Sequence, residues 1–132
     1  MRIFIDTSAF YALLDRDDRN HQKAKNKWVE ILEAPPALIT SNYVLVETLA
    51  LLQSRLGLEA VRGFQEDVVP ILKVEFVMPE LHRAGTAAVL SVGKRGLSLV
   101  DCVSFGMMRD LGIKIAFTFD AHFKEQGFDI LP

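Results

Sequence analysis

Apolar residues along this chain fall into two alternating rhythms, and few folds accommodate that alternation. Strand-like runs occur at "RIFI" (2–5), "ALIT" (37–40), "ILKVEFV" (71–77) and "IKIAFTF" (113–119), with "DIL" as a possible edge strand near the end. Between them the apolar residues recur at helical spacing, as Ala24, Trp28, Ile31 and Leu32 do between lysines and glutamates. Helices are therefore predicted from about Thr7 to Leu14, Asn20 to Ala34, Ser41 to Arg55, Glu59 to Val69, Pro79 to Lys94 and Ser98 to Gly112. Pro35-Pro36, Gly57 and Pro70 punctuate them, and "DRDDRN" (15–20) reads as a polar loop. Strands alternating with helices imply crossover connections and a mainly parallel sheet flanked by helices. The 132 residues contain no linker or repeat, so one α/β domain over 1–132 is expected.

Two of the predicted helices carry a charge that amphipathicity does not explain. In "NYVLVETLALL" (42–52) the sole charge is Glu47, whose neighbours at three and four residues are Tyr43, Val44, Ala50 and Leu51. In "SLVDCVSFGMM" (98–108) it is Asp101, beside Leu97, Phe105 and Met108. A lone carboxylate on a buried face is costly unless it is protonated, paired with a cation or bound to a metal. Neither helix offers a Lys or Arg at i±3 or i±4.

Asp6 and Asp120 are odd in another way, since each directly follows a strand-like run. In a parallel sheet the carboxyl ends of the strands share one edge, where open α/β folds place their sites. Asp101 opens the helix that precedes the Asp120 strand, and Glu47 lies one and a half turns into its own helix. All four acids can therefore converge. Each also has a plain structural reading: Asp6 and Asp120 as turn or N-cap residues, and Asp101 as part of an S-x-x-D capping box with Ser98. Asp15, Asp17 and Asp18 read as a solvated loop. His21, His82 and His122 lack metal-ligand spacing and read as surface residues, and Met107-Met108 as core filling.

Bulk properties narrow the classes. Half the residues are hydrophobic, which argues against disorder, yet no run approaches the ~20 residues that span a bilayer. One cysteine, Cys102, excludes an internal disulfide, and the N-terminus lacks the features of a signal peptide, so a cytoplasmic protein is expected. A net charge of −2 speaks against a nucleic-acid partner unless bound cations offset the acids. A P-loop is excluded because "SVGKRG" follows Gly93-Lys94 with Arg95 and has no preceding strand. A phosphatase of the haloacid-dehalogenase type needs a second Asp two residues after the first, where this chain has Ser8.

Four segments in order, "FIDTSAFYALLDRDDRNHQKA", "VLVETLALL", "LSLVDCVSFGMMRDLGI" and "AFTFDAHF", resemble the PIN domain. The likeness is greatest to its small single-domain ribonuclease toxins of the VapC-like group. The resemblance spans nearly the whole chain. It implies a three-layer α/β/α sandwich and a cluster of acids that binds Mg²⁺ or Mn²⁺, with the family's acidic positions falling on Asp6, Glu47, Asp101 and Asp120. Ser8 and Thr118 fall on its small polar residues that support the acids. A homodimer, an RNA substrate and a small antitoxin protein are implied as well. Carboxylates suit such oxygen-seeking ions, which can activate water and polarise a phosphodiester. Lys94, Arg95, Arg109 and Lys124 are candidates for phosphate contacts. The alternative is a non-catalytic metal-binding or RNA-binding module of the same fold.

Overall fold

The computed structural model describes residues 1–93 and 97–132. Its core is a five-stranded, entirely parallel sheet in the order β3-β2-β1-β4-β5. The strands are β1 (Arg2–Ile5), β2 (Ala37–Ser41), β3 (Lys73–Glu75), β4 (Ile115–Phe117) and β5 (Asp129–Leu131). Around them run α1 (Thr7–Leu14), α2 (His21–Glu33), α3 (Asn42–Arg55), α4 (Leu58–Gly63), α5 (Pro79–Val92), α6 (Leu99–Leu111) and the short α7 (His122–Glu125). This is the α/β architecture the alternating rhythms predict. Among the described residues, no helix is long and apolar enough to cross a membrane.

Strand β1 is central, and Ile3, Phe4 and Ile5 are almost fully buried, as a strand covered on both faces requires. From β1 the chain adds β2 and β3 on one side and then returns to add β4 and β5 on the other. The direction of winding thus reverses between β1 and β4, and their carboxyl ends flank a crevice. The register pairs Ile5 with Phe117, so the residues that follow, Asp6 and Thr118, leave the sheet side by side.

The departures from the predicted elements have local causes. Residues 69–71 form a 3₁₀ turn around Pro70, so β3 begins only at Lys73. It ends at Glu75, and the Val77 N–H is taken by Asn42 Oδ1 at 2.7 Å. Strand β4 spans only Ile115–Phe117; the Thr118 N–H still bonds Leu131 O of β5, but the Phe119 N–H leaves the ladder for the Ser8 hydroxyl. The helix predicted over 59–69 is α-helical to Gly63 and a π-turn over Phe64–Val68, which buries Phe64 against Phe10. Val44 and Leu52 of α3 and Phe64 and Val68 of the π-turn are core residues, with Leu45, Leu49 and Val61 packed against the core. Met107 and Met108 fill the core as expected.

Helices α5 and α6 approach closely through two glycines. A Cβ on Gly85 would lie 2.6 Å from Val103 Cγ2, and one on Gly106 would lie 2.8 Å from Leu81 Cδ1. Gly85→Ala gains about 1 kcal/mol of helix propensity but forces Val103 off its packing, which typically costs about 1–3 kcal/mol. Net destabilisation is expected, larger for Gly85→Val, and urea titrations of the variants would measure it.

Candidate active site

Asp6, Glu47, Asp101 and Asp120 all line one crevice of about 480 Å³ at the carboxyl edge of the sheet. Asp6 caps α1 and is 4 % exposed. Its Oδ2 accepts hydrogen bonds from Ser8 Oγ at 2.8 Å and Thr118 Oγ1 at 3.1 Å. Each hydroxyl spends its single proton there, so the 3.1 Å approach between the two hydroxyls carries no bond of its own. Their oxygens accept in turn: Ser8 Oγ from Phe119 N–H at 2.9 Å, and Thr118 Oγ1 from Asp120 N–H at 2.9 Å. Ser8 and Thr118 thus tie the end of β1 to the end of β4. Ser8→Ala would leave the Phe119 N–H without its acceptor, and a loss of about 1–3 kcal/mol in thermal or chemical denaturation is expected.

Asp101 has two jobs at once. Ser98 N–H donates to Asp101 Oδ2 at 3.0 Å and Asp101 N–H to Ser98 Oγ at 3.1 Å, completing the capping box. The same carboxylate is half-buried and faces the crevice. Glu47 makes no hydrogen bond or ion pair with a described residue, although it too is half-buried in the crevice wall. No structural task accounts for it.

Burial and neighbouring charge raise the proton affinity of two of the acids, Asp6 and Asp101. Burial pushes the Asp6 carboxyl up to about 6, and the charge of Asp101 adds to this while the Ser8 and Thr118 hydrogen bonds oppose it. Burial likewise raises the Asp101 carboxyl, assisted by the charges of Asp120 and Glu47 and opposed by the Ser98 hydrogen bonds. This is negative potential short of a cation.

His122 does not lie on the open surface as expected. Its ring is largely covered, with Nδ1 2.8 Å from Asp120 Oδ1. That approach is not aligned as a hydrogen bond, and the same carboxylate oxygen already accepts the His122 backbone N–H at 2.9 Å. Asp101, Asp120 and His122 each present a donor atom within 4.8 Å of the others, compatible with one cation held at ~2.0–2.6 Å from its oxygen ligands. Asp6 and Glu47 face the same cavity from outside that tight group. An oxygen-rich donor set of this kind fits Mg²⁺ or Mn²⁺.

The cations lie elsewhere than the sequence suggests. Lys94 and Arg95 fall outside the described residues. Arg109, near the far end of α6, bonds Gln126 Oε1 at 2.8 Å and sits over the Phe128 ring, and neither it nor Lys124 lines the crevice. Arg19 and Arg55 do line it, together with Tyr11 and Asp18. The signal for Arg55 was available: it follows Glu47 by eight residues and so shares its helix face. Arg19 had no such signal, because a loop has no periodicity to read.

An open parallel sheet with carboxylates converging at its switch point defines an α/β protein equipped to hold hard divalent cations. The PIN domain family model matches residues 3–129, and the chain belongs to that family. It is 37% identical over 127 residues to the 23S rRNA-specific endonuclease VapC20 of Mycobacterium tuberculosis, covering 96% of this chain and 95% of that protein. The crystal structure of that sarcin–ricin loop cleaving toxin superposes with a TM-score of 0.86 at 35% identity, covering 98% of this chain and 99% of the other. FitAcB from Neisseria gonorrhoeae shares the fold at a TM-score of 0.68 and 13% identity, over 98% and 96% of the two chains.

Proposed function

We propose that the protein is a divalent-metal-dependent endoribonuclease that hydrolyses RNA phosphodiester bonds and serves as the toxin of a toxin–antitoxin pair. The observation that carries this reading is the convergence of four carboxylates from separate elements on one crevice, in a chain similar to a ribosomal RNA endonuclease. The sarcin–ricin loop of 23S rRNA is the first substrate to try, because it is the target of VapC20.

Asp6, Glu47, Asp101 and Asp120 would hold the Mg²⁺ or Mn²⁺, either directly or through water. Bound there, the ion supplies a water of lowered pKa and an electrophile for the phosphoryl oxygen. Asp101, which lies in the tight group with Asp120 and His122, is the nearer ligand in this reading, while Asp6, fixed by the Ser8 and Thr118 hydroxyls, faces the ion from farther across the cavity. Glu47 or Asp120 would accept the proton of the attacking water in this reading. Ser8 and Thr118 act by position, holding Asp6 and the Asp120 turn in register. The protein works as a homodimer, and a small antitoxin closes the crevice with its C-terminal segment.

Glu47→Gln gives the cleanest test, since that side chain has no hydrogen-bond or ion-pair partner among the described residues to lose. Wild-type protein should cut an RNA carrying the sarcin–ricin loop in Mn²⁺ or Mg²⁺, and EDTA should stop it. Glu47→Gln, purified identically, should be at least ~100-fold slower with an unchanged melting temperature. Equal cleavage by both proteins would point to a contaminating nuclease and sink the assignment of the site.

A further inference from the structure

The crevice lining carries cations as well as acids: Arg19 and Arg55 line it together with Tyr11, Leu51 and Asp18. We propose that Arg55, together with Arg19 of the same crevice lining, grips the backbone of the RNA on one side of the phosphate to be cut, so that the strand is held by cations the acids themselves cannot provide. This rests on the ribonuclease reading above and adds the substrate-positioning residues to it.

Three features single out these arginines. Glu47, Leu51 and Arg55 follow one another at i+4 on α3, and all three face the crevice. At 1.5 Å per residue Arg55 lies about 12 Å along the helix axis from Glu47, so in this reading its long side chain reaches a different phosphate of the same strand from the one at the acids. The second feature is preorganisation. The Arg55 guanidinium lies 5.4 Å from the centroid of the Tyr11 ring and interacts with its hydroxyl, contacts that hold the group in place and engage only part of its five donors. Arg19 sits in a loop held by side-chain turns: Asp17 N–H bonds Asp15 Oδ1 at 3.0 Å and Asn20 N–H bonds Asp18 Oδ1 at 2.8 Å.

The third feature is the lack of a competing ion-paired carboxylate among the described residues. Neither arginine has a carboxylate of a described residue within 4.0 Å, whereas Arg62 and Arg83 are both in ion pairs on their own helices. A protein with a net charge of −2 and an acid-lined site needs local cations if polyanionic RNA is to enter.

The experiment is RNA binding followed by fluorescence anisotropy in Mg²⁺, over a range of KCl concentrations. The probe is a labelled stem–loop RNA with the sarcin–ricin sequence, and Asp101→Asn is the background so that cleavage does not intervene. Adding Arg55→Gln should weaken binding about tenfold and reduce the slope of log K against log[salt] by about one, the loss of one phosphate contact. Arg55→Lys should recover part of the affinity, Arg19→Gln should act in the same direction, and Arg62→Gln should change neither quantity. Unchanged affinity and slope in Arg55→Gln, with the parent still binding, would overturn the clamp and leave the ribonuclease reading intact. An equal loss in Arg62→Gln would also overturn it, by showing that any surface charge serves. If the parent binds no RNA in a salt-dependent way, the RNA reading fails and the clamp falls with it.

Discussion

Asp101→Asn is expected to lower the single-turnover cleavage rate about 1,000-fold or more while leaving the fold intact. Both halves of that expectation come from the dual role of the residue. The amide oxygen of Asn can still accept the Ser98 N–H, and its own N–H can still bond Ser98 Oγ, so the cap of α6 survives. What disappears is the negative charge facing the crevice. Charge stabilisation by a carboxylate-held metal is worth several kcal/mol at the transition state, and each ~1.4 kcal/mol is a factor of ten. The substitution also removes repulsion, because Asp101 raises the proton affinity of Asp6 and is itself raised by Asp120 and Glu47. The melting temperature in EDTA should therefore stay level or rise. An inactive variant with a lowered melting temperature would instead mean that the cap had failed, and the loss of cleavage would say little about the site.

How far the site could be read in the sequence depended on whether a residue's oddity was local. Glu47 and Asp101 violate the amphipathic pattern of their own helices, so each was visible within a few residues. Asp6 and Asp120 became informative only through the sheet: a parallel arrangement puts strand ends on one edge, and the β1–β4 pairing makes them neighbours. The capping box of Ser98 and Asp101 was legible from its spacing alone, and it coexists with the crevice role. His122 was missed because no ligand spacing marks it; a tight turn after β4 folds its ring back against Asp120.

Element boundaries were lost wherever side chains took over backbone partners. Strand β4 looks seven residues long by apolarity, yet only three are strand: the Thr118 N–H still reaches β5, but Ser8 takes the Phe119 N–H and ends the ladder there. The site itself shortened the strand. The π-turn at Phe64–Val68 could not be foreseen either, for its apolar spacing is also that of an ordinary helix. Cations were the hardest to place, because an arginine's sequence neighbours say nothing of where a flexible side chain ends. Arg109 looked free in the sequence and is committed to Gln126 and Phe128.

Asp6→Asn should make the metal-free protein more stable at neutral pH, by on the order of 2–3 kcal/mol. The carboxyl is almost completely buried and is raised from 3.8 to about 6, so between those values the folded state binds a proton that the unfolded state has released. Stability therefore falls as pH rises across that interval, by about 1.4 kcal/mol for each unit separating the two pKa values. Below pH ~4 both states carry the proton and no penalty is felt. Asn carries no such charge and keeps an acceptor for the Ser8 and Thr118 hydroxyls. Denaturation of both proteins in EDTA from pH 4 to 8 should give curves that meet near pH 4, diverge up to about pH 6 and run parallel above it. Mn²⁺ should then raise the wild-type midpoint more than that of Asp6→Asn, since only the wild type has a buried charge for the ion to compensate. Parallel curves across the whole range would show that Asp6 is already ionised without penalty. The crevice would then need no cation to hold it together, and a metal centre at this sheet edge would lose its electrostatic basis.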